Sequence, residues 1–264
     1  MLFDLQNPGR RRIIKVVYAM LAILLAVGLV GFGIGSDATG GLSEIFGGSG
    51  STDTGFEEDI EDREQQAQEN PKDPKPQLEL VTLYIQQGNQ QLEVDEATQA
   101  TVVTSEAEES FGKAADAWAA YLKLKPPKPD TGAALQLAGI HFLLAQNSTS
   151  AADARTQVDN AAAAQQVAVD ADPARGNLGN LALYLYFGGR FAEGDQAAAQ
   201  SVAQTPTAEQ KQVQKQFDQL KKQAEAFDKA FKKEQKQGAA PEGENPLGGA
   251  GGALGGGSGA LGGP

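Results

Sequence analysis

Apolar positions divide the chain into three unlike stretches. Residues 16–35 are one uncharged run, with Val16, Val17, Leu21, Ile23, Leu24, Leu25 and Val27 in its body. Over residues 77–206 apolar side chains return every three or four positions, the period of a helix face. Residues 238–264 show no period, and twelve of them are Gly. That composition cannot bury a core and predicts disorder.

The uncharged run is long enough for a bilayer. At a rise of ~1.5 Å per residue, twenty helical residues span ~30 Å. Arg10, Arg11, Arg12 and Lys15 precede it, and Asp37 is the first charge after it. The positive-inside bias puts the basic segment 1–15 in the cytoplasm and everything after residue 35 outside. A retained signal anchor is the favoured reading, because cleaved signal peptides have apolar cores of only ~7–15 residues. Cleavage at Ser36-Asp37-Ala38 stays open, as does a twin-arginine export signal over Arg10 to Lys15, where Gly9 replaces the usual hydroxyl residue. Gly31 and Gly35 form a GxxxG pair, but at the very end of the span, where a frayed exit is the simpler reading.

Residues 36–76 carry eleven acids and three bases. Gly, Ser and Thr dominate up to residue 55, the composition of a flexible tether. Residues 56–69 favour a helix but are mostly polar, so that helix has little to bury. Pro71, Pro74 and Pro76 end it. The whole of 36–76 reads as an acidic flexible linker.

From 77 to 237 only helices are predicted: 77–92, 105–124, 131–146, 151–170, 176–187, 191–204 and 207–236. Gly and Pro punctuate the gaps between them. Ser105 and Glu108 suggest a capping box, and Pro126 with Pro127 stops the second helix. The last block, within 207–237, places Val213, Phe217, Leu220, Ala224, Phe227 and Phe231 at alternating intervals of four and three. Such a stripe suits a helix capping a stack, or a coiled coil that makes a homo-oligomer through residues 207–237. Its eight lysines suit solvent, the acidic body or anionic lipid.

The helix pairs carry a repeat. In the last pair Gly189, Arg190 and Phe191 mark a tight turn, followed by Gly194, Ser201 and Pro206, with Leu178, Leu181, Leu185 and Tyr186 before it. Phe111 precedes Pro126 by the same interval that separates Phe191 from Pro206, with Ala114, Trp118 and Tyr121 between. Val158, Ala161 and Ala168 stand at matching spacings before Pro173. Gly permits the positive φ of the turn, an aromatic seals it, small residues allow close approach, and Pro ends the second helix. Over 77–206 the chain resembles tetratricopeptide-repeat proteins. It departs from them in about a dozen extra residues (93–104) in the first pair, which lacks the Gly turn, and in residues 147–150 as the turn of the second.

The expected fold is therefore all-α. It has one N-terminal transmembrane helix, a tetratricopeptide-like solenoid of three helix pairs, and a long capping helix between a linker and a Gly-rich tail.

The chemistry-bearing residues are few. There is no Cys and a single His in 264 residues. Thiol catalysis, disulfides, Cys-ligated metals and multi-histidine sites are excluded. His141 lies inside a helical block and reads as a packed histidine. Glu57, Glu58, Asp59, Glu61 and Asp62 lack the spacing of a Ca²⁺ loop. Gly31-x-Gly33 sits in the apolar run, not between a strand and a helix. Asn147-Ser148-Thr149 matches a glycosylation acceptor only by its three residues. A net charge of -12 argues against nucleic acid, which needs a basic footprint. No catalytic residue, metal or cofactor is expected.

The resemblance implies a concave groove for a protein or peptide, lined by the first helix of each pair. Tyr84, His141, Leu183 and Tyr186 are the expected lining. The Lys/Asn set with which such domains clamp a C-terminal carboxylate is missing, so an apolar, acidic-rimmed groove follows. The layout is similar to bacterial membrane-anchored tetratricopeptide proteins. It implies a single-pass protein of the cell envelope that recruits one protein partner, or alternatively a holdase near the secretion translocon.

Overall fold

A computed structural model describes residues 54–95, 101–148 and 150–237. The basic segment 1–15, the apolar run 16–35, most of the linker and the tail 238–264 lie outside the described residues. Among those described, no helix is long and apolar enough to cross a membrane.

The described chain is helical almost throughout. Its elements are α1 (Thr54–Glu69), α2 (Pro74–Gln90), α3 (Ser105–Lys123), α4 (Thr131–Asn147), α5 (Ala151–Ala171), α6 (Arg175–Phe187), α7 (Phe191–Ala203) and α8 (Thr207–Gln237). A two-residue antiparallel ladder, β1 (Glu93–Val94) with β2 (Thr101–Val102), lies between α2 and α3. It is too short and too exposed to leave a periodic signal, so the all-helix expectation missed it.

Four of the eight described helices start on a side-chain acceptor. Asp73, Thr104, Asp130 and Ser150 accept from the backbone N–H of Lys75, Ala107, Ala133 and Asp153. Each satisfies one of the free donors at a helix start. Two expectations are corrected here. Pro74 and Pro76 open α2 rather than only ending α1, as suits residues whose missing N–H costs nothing in a first turn. Thr104, not Ser105, caps α3, and its hydroxyl also donates to the carbonyl of Gln91, 2.8 Å away, which binds the cap to the end of α2.

Packing runs in sequence order. The main contacts are α2 with α3, α4 with α5 and α6 with α7, each an antiparallel pair joined to its neighbours, with α1 on α2 and α8 on α6 and α7. Antiparallel order is visible in the bonds. Ser201 near the end of α7 donates to the carbonyl of Arg175 at the start of α6 (2.9 Å), and Gln204 donates to that of Pro173 (2.7 Å). The core is rich in alanine, with Ala107, Ala114, Ala134, Ala138, Ala145, Ala161, Ala168 and Ala182 wholly buried. Small side chains let paired helices approach closely, and aromatics then join one pair to the next. Phe142 of α4 meets Tyr184 (5.2 Å) and Phe187 (6.2 Å) of α6, and Phe187 meets Phe227 of α8 (5.9 Å).

The first described helix corrects the linker expectation. Over its described part the 36–76 segment is folded, not a flexible tether. Ile60 and Ala67 are buried in the common core, and burying an Ile side chain contributes about 1.5–3 kcal/mol. Arg63 pairs with Glu79 at 2.7 Å, and the hydroxyl of Tyr84 donates to Glu64. A mostly polar helix is thus held by two apolar contacts and two polar ones to α2.

The a/d stripe of α8 is used within the chain. Val213, Phe217, Ala224 and Phe231 are buried, with Leu220 and Phe227 partly so.

Gly88 is required where it stands. A Cβ there would lie 2.5 Å from the ring of Phe111, which is fully buried in α3. Gly112, one residue past Phe111, has nothing within 4 Å. Gly88→Ala is therefore expected to lose about 1–3 kcal/mol by overpacking. Gly112→Ala is expected to gain about 0.5–1 kcal/mol from helix propensity alone. Urea denaturation of the two variants checks the opposite signs.

Candidate functional site

Three of the four residues expected to line a groove are packed between helices. Tyr84 is 5% exposed and covered by α1. Burial, then the bond to Glu64, raises its hydroxyl well above its ordinary value. Tyr186 is 2% exposed. It stacks on Phe191 at 6.4 Å and donates to Asp195 at 3.0 Å. A Cβ at Gly194 would lie 2.6 Å from its ring. His141 is 8% exposed, and its Nδ1 lies 2.7 Å from Oε1 of Gln157 on α5. Leu183 alone is part-exposed. The expectation failed because the apolar face of a first helix looks the same in sequence whether it meets a partner or its own neighbours.

The repeat positions occupy the pair interfaces. Phe111, Ala114 and Ala161 are fully buried and Trp118 is 7% exposed, stacked on Tyr121. Phe191 is partly buried, Pro126 is half-buried, and Pro173 and Pro206 are exposed just past α5 and α7. Gly189 has φ +70. Arg190 N–H bonds Leu185 O (2.8 Å) and Gly189 N–H bonds Tyr186 O (2.9 Å), the crossed pair that closes a helix end on a left-handed glycine.

The open surface on a first helix is elsewhere. Along α4, Gly132, Leu135, Gln136, Gly139, Leu143 and Gln146 are exposed or part-exposed. Their spacing of three and four puts them on one stripe. Leu135 is 38% exposed, and above Gly139 there is nothing within 4 Å. No residue of the stripe is charged. The ring contacts of Phe142 hold α6 alongside, and there Asn180 and Leu183 are part-exposed on the neighbouring helix. A glycine inside a helix costs about 1 kcal/mol relative to Ala. Gly88, Gly189 and Gly194 each have a packing reason within the chain. Gly139, like Gly112, has none, and a glycine inside a helical block was the stripe's one signal in the sequence.

A second feature is a recess of about 310 Å³ lined by Ala152, Arg155, Asp228, Phe231 and Lys232. Arg155 of α5 reaches two other helices, α6 and α8. It lies 3.2 Å from Asp228, 3.4 Å from the carbonyl of Phe187, and 5.3 Å from the Phe231 ring centroid. Asp228 is buried, which pushes its carboxyl up, but the bonds to Lys232 and Arg155 outweigh this and hold it below the ordinary value. Arg155 is thereby held to α6 and α8, and the recess reads as a joint between α5, the α6–α7 turn and α8. No group of three or more His, Cys, Asp or Glu among the described residues could hold a metal ion.

Comparison with protein-family models, curated proteins and solved structures gives no match. The candidate site therefore rests on its geometry.

His141 gives a pH test of this packing. Burial lowers its pKa from the ordinary 6.5, and the Gln157 bond only partly opposes that. The unfolded chain then takes up a proton before the folded one does. Stability is expected to fall as pH drops through about 6.5 and to level off once the folded histidine also titrates. His141→Gln should flatten this part of the profile, read as Tm between pH 7.5 and pH 5.

Proposed function

We propose that this chain is a non-enzymatic interaction module, tethered to the cell membrane by residues 16–35, with a tetratricopeptide-like stack outside the cytoplasm. The open stripe of α4, with Asn180 and Leu183 of α6 beside it, receives an apolar segment of a protein partner. One observation carries this reading: the uncharged stripe Leu135, Gly139, Leu143 lies open on a helix whose other sides are buried. Supporting the repeat reading are the antiparallel pairs, the left-handed turn at Gly189, and the contacts of Gly88 with Phe111 and Gly194 with Tyr186. Supporting the membrane tether are the length of the uncharged run and the four cations before it.

The stripe suits its task physically. A backbone without side chains at Gly132 and Gly139 allows a partner helix to come close, and Leu135 and Leu143 flank the gap. Gln136 offers an amide where the partner's backbone or polar edge arrives. Such an interface gains from apolar burial at its centre and hydrogen bonds at its rim. It contains no charge to desolvate.

The test is in-cell crosslinking of the full chain followed by mass spectrometry, comparing the wild type with Leu135→Lys and Gly139→Arg. Both substitutions sit on exposed helix surface, so helicity and Tm should stay near wild type. Partner recovery is expected to fall at least tenfold. Recovery equal to wild type would remove the stripe as the docking face. One dominant partner marks a scaffold. Many exported clients, all lost in the variants, would mark a holdase using the same face.

A further inference from the structure

The two ends of the helix stack carry opposite charge in a matching pattern. At the first end, α1 contains seven acids and one base. Its buried seam is Ile60 and Ala67, with Arg63 and Glu64 bonded to α2. The opposite face is Glu58, Asp62, Gln65 and Glu69, all exposed. At the other end, α8 contains eight lysines and five acids. The face opposite its buried stripe is Lys211, Lys215, Lys222 and Lys229, all exposed.

The spacings agree. Glu58, Asp62 and Glu69 stand four and then seven residues apart, as do Lys211, Lys215 and Lys222. Seven residues rise about 10.5 Å along a helix, and four about 6 Å. Two such helices side by side and parallel bring each acid opposite a lysine. The same register sets Gln65, whose amide bonds Glu69, beside Asp218, so no like charges meet there. The antiparallel direction matches the same intervals through Lys222, Lys229 and Lys233, but it sets Gln65 beside Ala226 and away from Gln219, so a disulfide between positions 65 and 219 reports the parallel arrangement.

We propose that two copies of this chain dock head to tail, the acidic face of α1 on one against the lysine face of α8 on the other. This goes beyond the partner-binding stripe on α4 and does not depend on it. Like ends repel, so a symmetric contact through α1 or through α8 is disfavoured, and only the heterologous pairing attracts. Each docked copy leaves its other end free, so the contact repeats into rows. An anionic bilayer is the weaker candidate for the lysine face. The apolar face of α8 is already buried, leaving nothing to insert, and a chain of net charge -12 is repelled by such a surface elsewhere. The contact is made by exposed ion pairs, which are individually weak and screened by salt. Rows therefore form where the chain is locally concentrated, as on a membrane.

The absence of Cys makes the test clean. Full-length Gln65→Cys and Gln219→Cys chains are mixed in a non-ionic detergent and oxidised. The expected product joins Cys at 65 to Cys at 219, exceeds either like-with-like disulfide several-fold, and falls several-fold between ~20 mM and ~500 mM salt. Adding Lys211→Glu, Lys215→Glu and Lys222→Glu to the second chain should abolish the product. Adding Glu58→Lys, Asp62→Lys and Glu69→Lys to the first should then restore it, which a merely misfolded variant could not do. Equal yields of all three disulfides would overturn the proposal, as would failure of the restoring set. So would salt-sensitive capture of the chain by anionic phosphatidylglycerol vesicles with no mixed disulfide.

Discussion

Close approach of the two helices within each pair is the constraint on which the rest depends. It requires a residue with no side chain, or almost none, opposite a large ring. Gly88 lies under Phe111 and Gly194 under Tyr186, while alanines fill the remaining seam. Large rings also lie where one pair meets the next, Phe142 of α4 against Tyr184 and Phe187 of α6, and Phe187 against Phe227 of α8. No pair can hide those rings alone. Stacking in chain order follows, and so does the need for something to cover each end.

The two covers differ in kind. α8 brings a continuous stripe of large residues and is locked by Arg155, which reaches from α5 to Asp228 and over Phe231. The same arginine lies against Gly189, where an added Cβ would come within 2.2 Å of its guanidinium. The left-handed turn, the last pair and the cap are therefore one assembly: side chains at the turn would push Arg155 off Asp228. α1 brings only Ile60 and Ala67 and relies on polar bonds to Glu79 and Tyr84. It is the more weakly held end.

Much of this was legible in the sequence, because long periodic helices separated by Pro, Gly and capping residues announce themselves. Boundaries from 105 to 237 fall within a residue or so of the observed ones. What was not legible shares one cause. Burial by a neighbour depends on residues far along the chain, which periodicity does not report. A helix with two apolar residues looked unable to pack, yet α1 packs because α2 offers Glu79 and Tyr84. Tyr84, His141 and Tyr186 looked like groove residues, yet each is claimed by a polar partner on another helix: Glu64, Gln157 and Asp195. The open stripe on α4 was hidden for the converse reason: apolar and small residues run around nearly the whole of 131–146, so periodicity does not say which of them face outward.

The surfaces left over are unlike one another, and that difference follows from the stack. A helix in the middle of a stack is covered by neighbours on several sides, so the strip it leaves open is narrow. On α4 that strip is neutral and carries two glycines. A terminal helix is covered on one side only, so its open face is broad and must be polar to remain in water. α1 and α8 meet that need with opposite signs. An apolar segment finds no charge to desolvate on the α4 strip, whereas a charged surface finds its complement only at an end. The two kinds of contact thus involve separate residues and respond to different conditions, the lateral one to apolar complementarity and the terminal one to salt. A single stack can accordingly hold a partner along its side while its ends remain free to meet other copies.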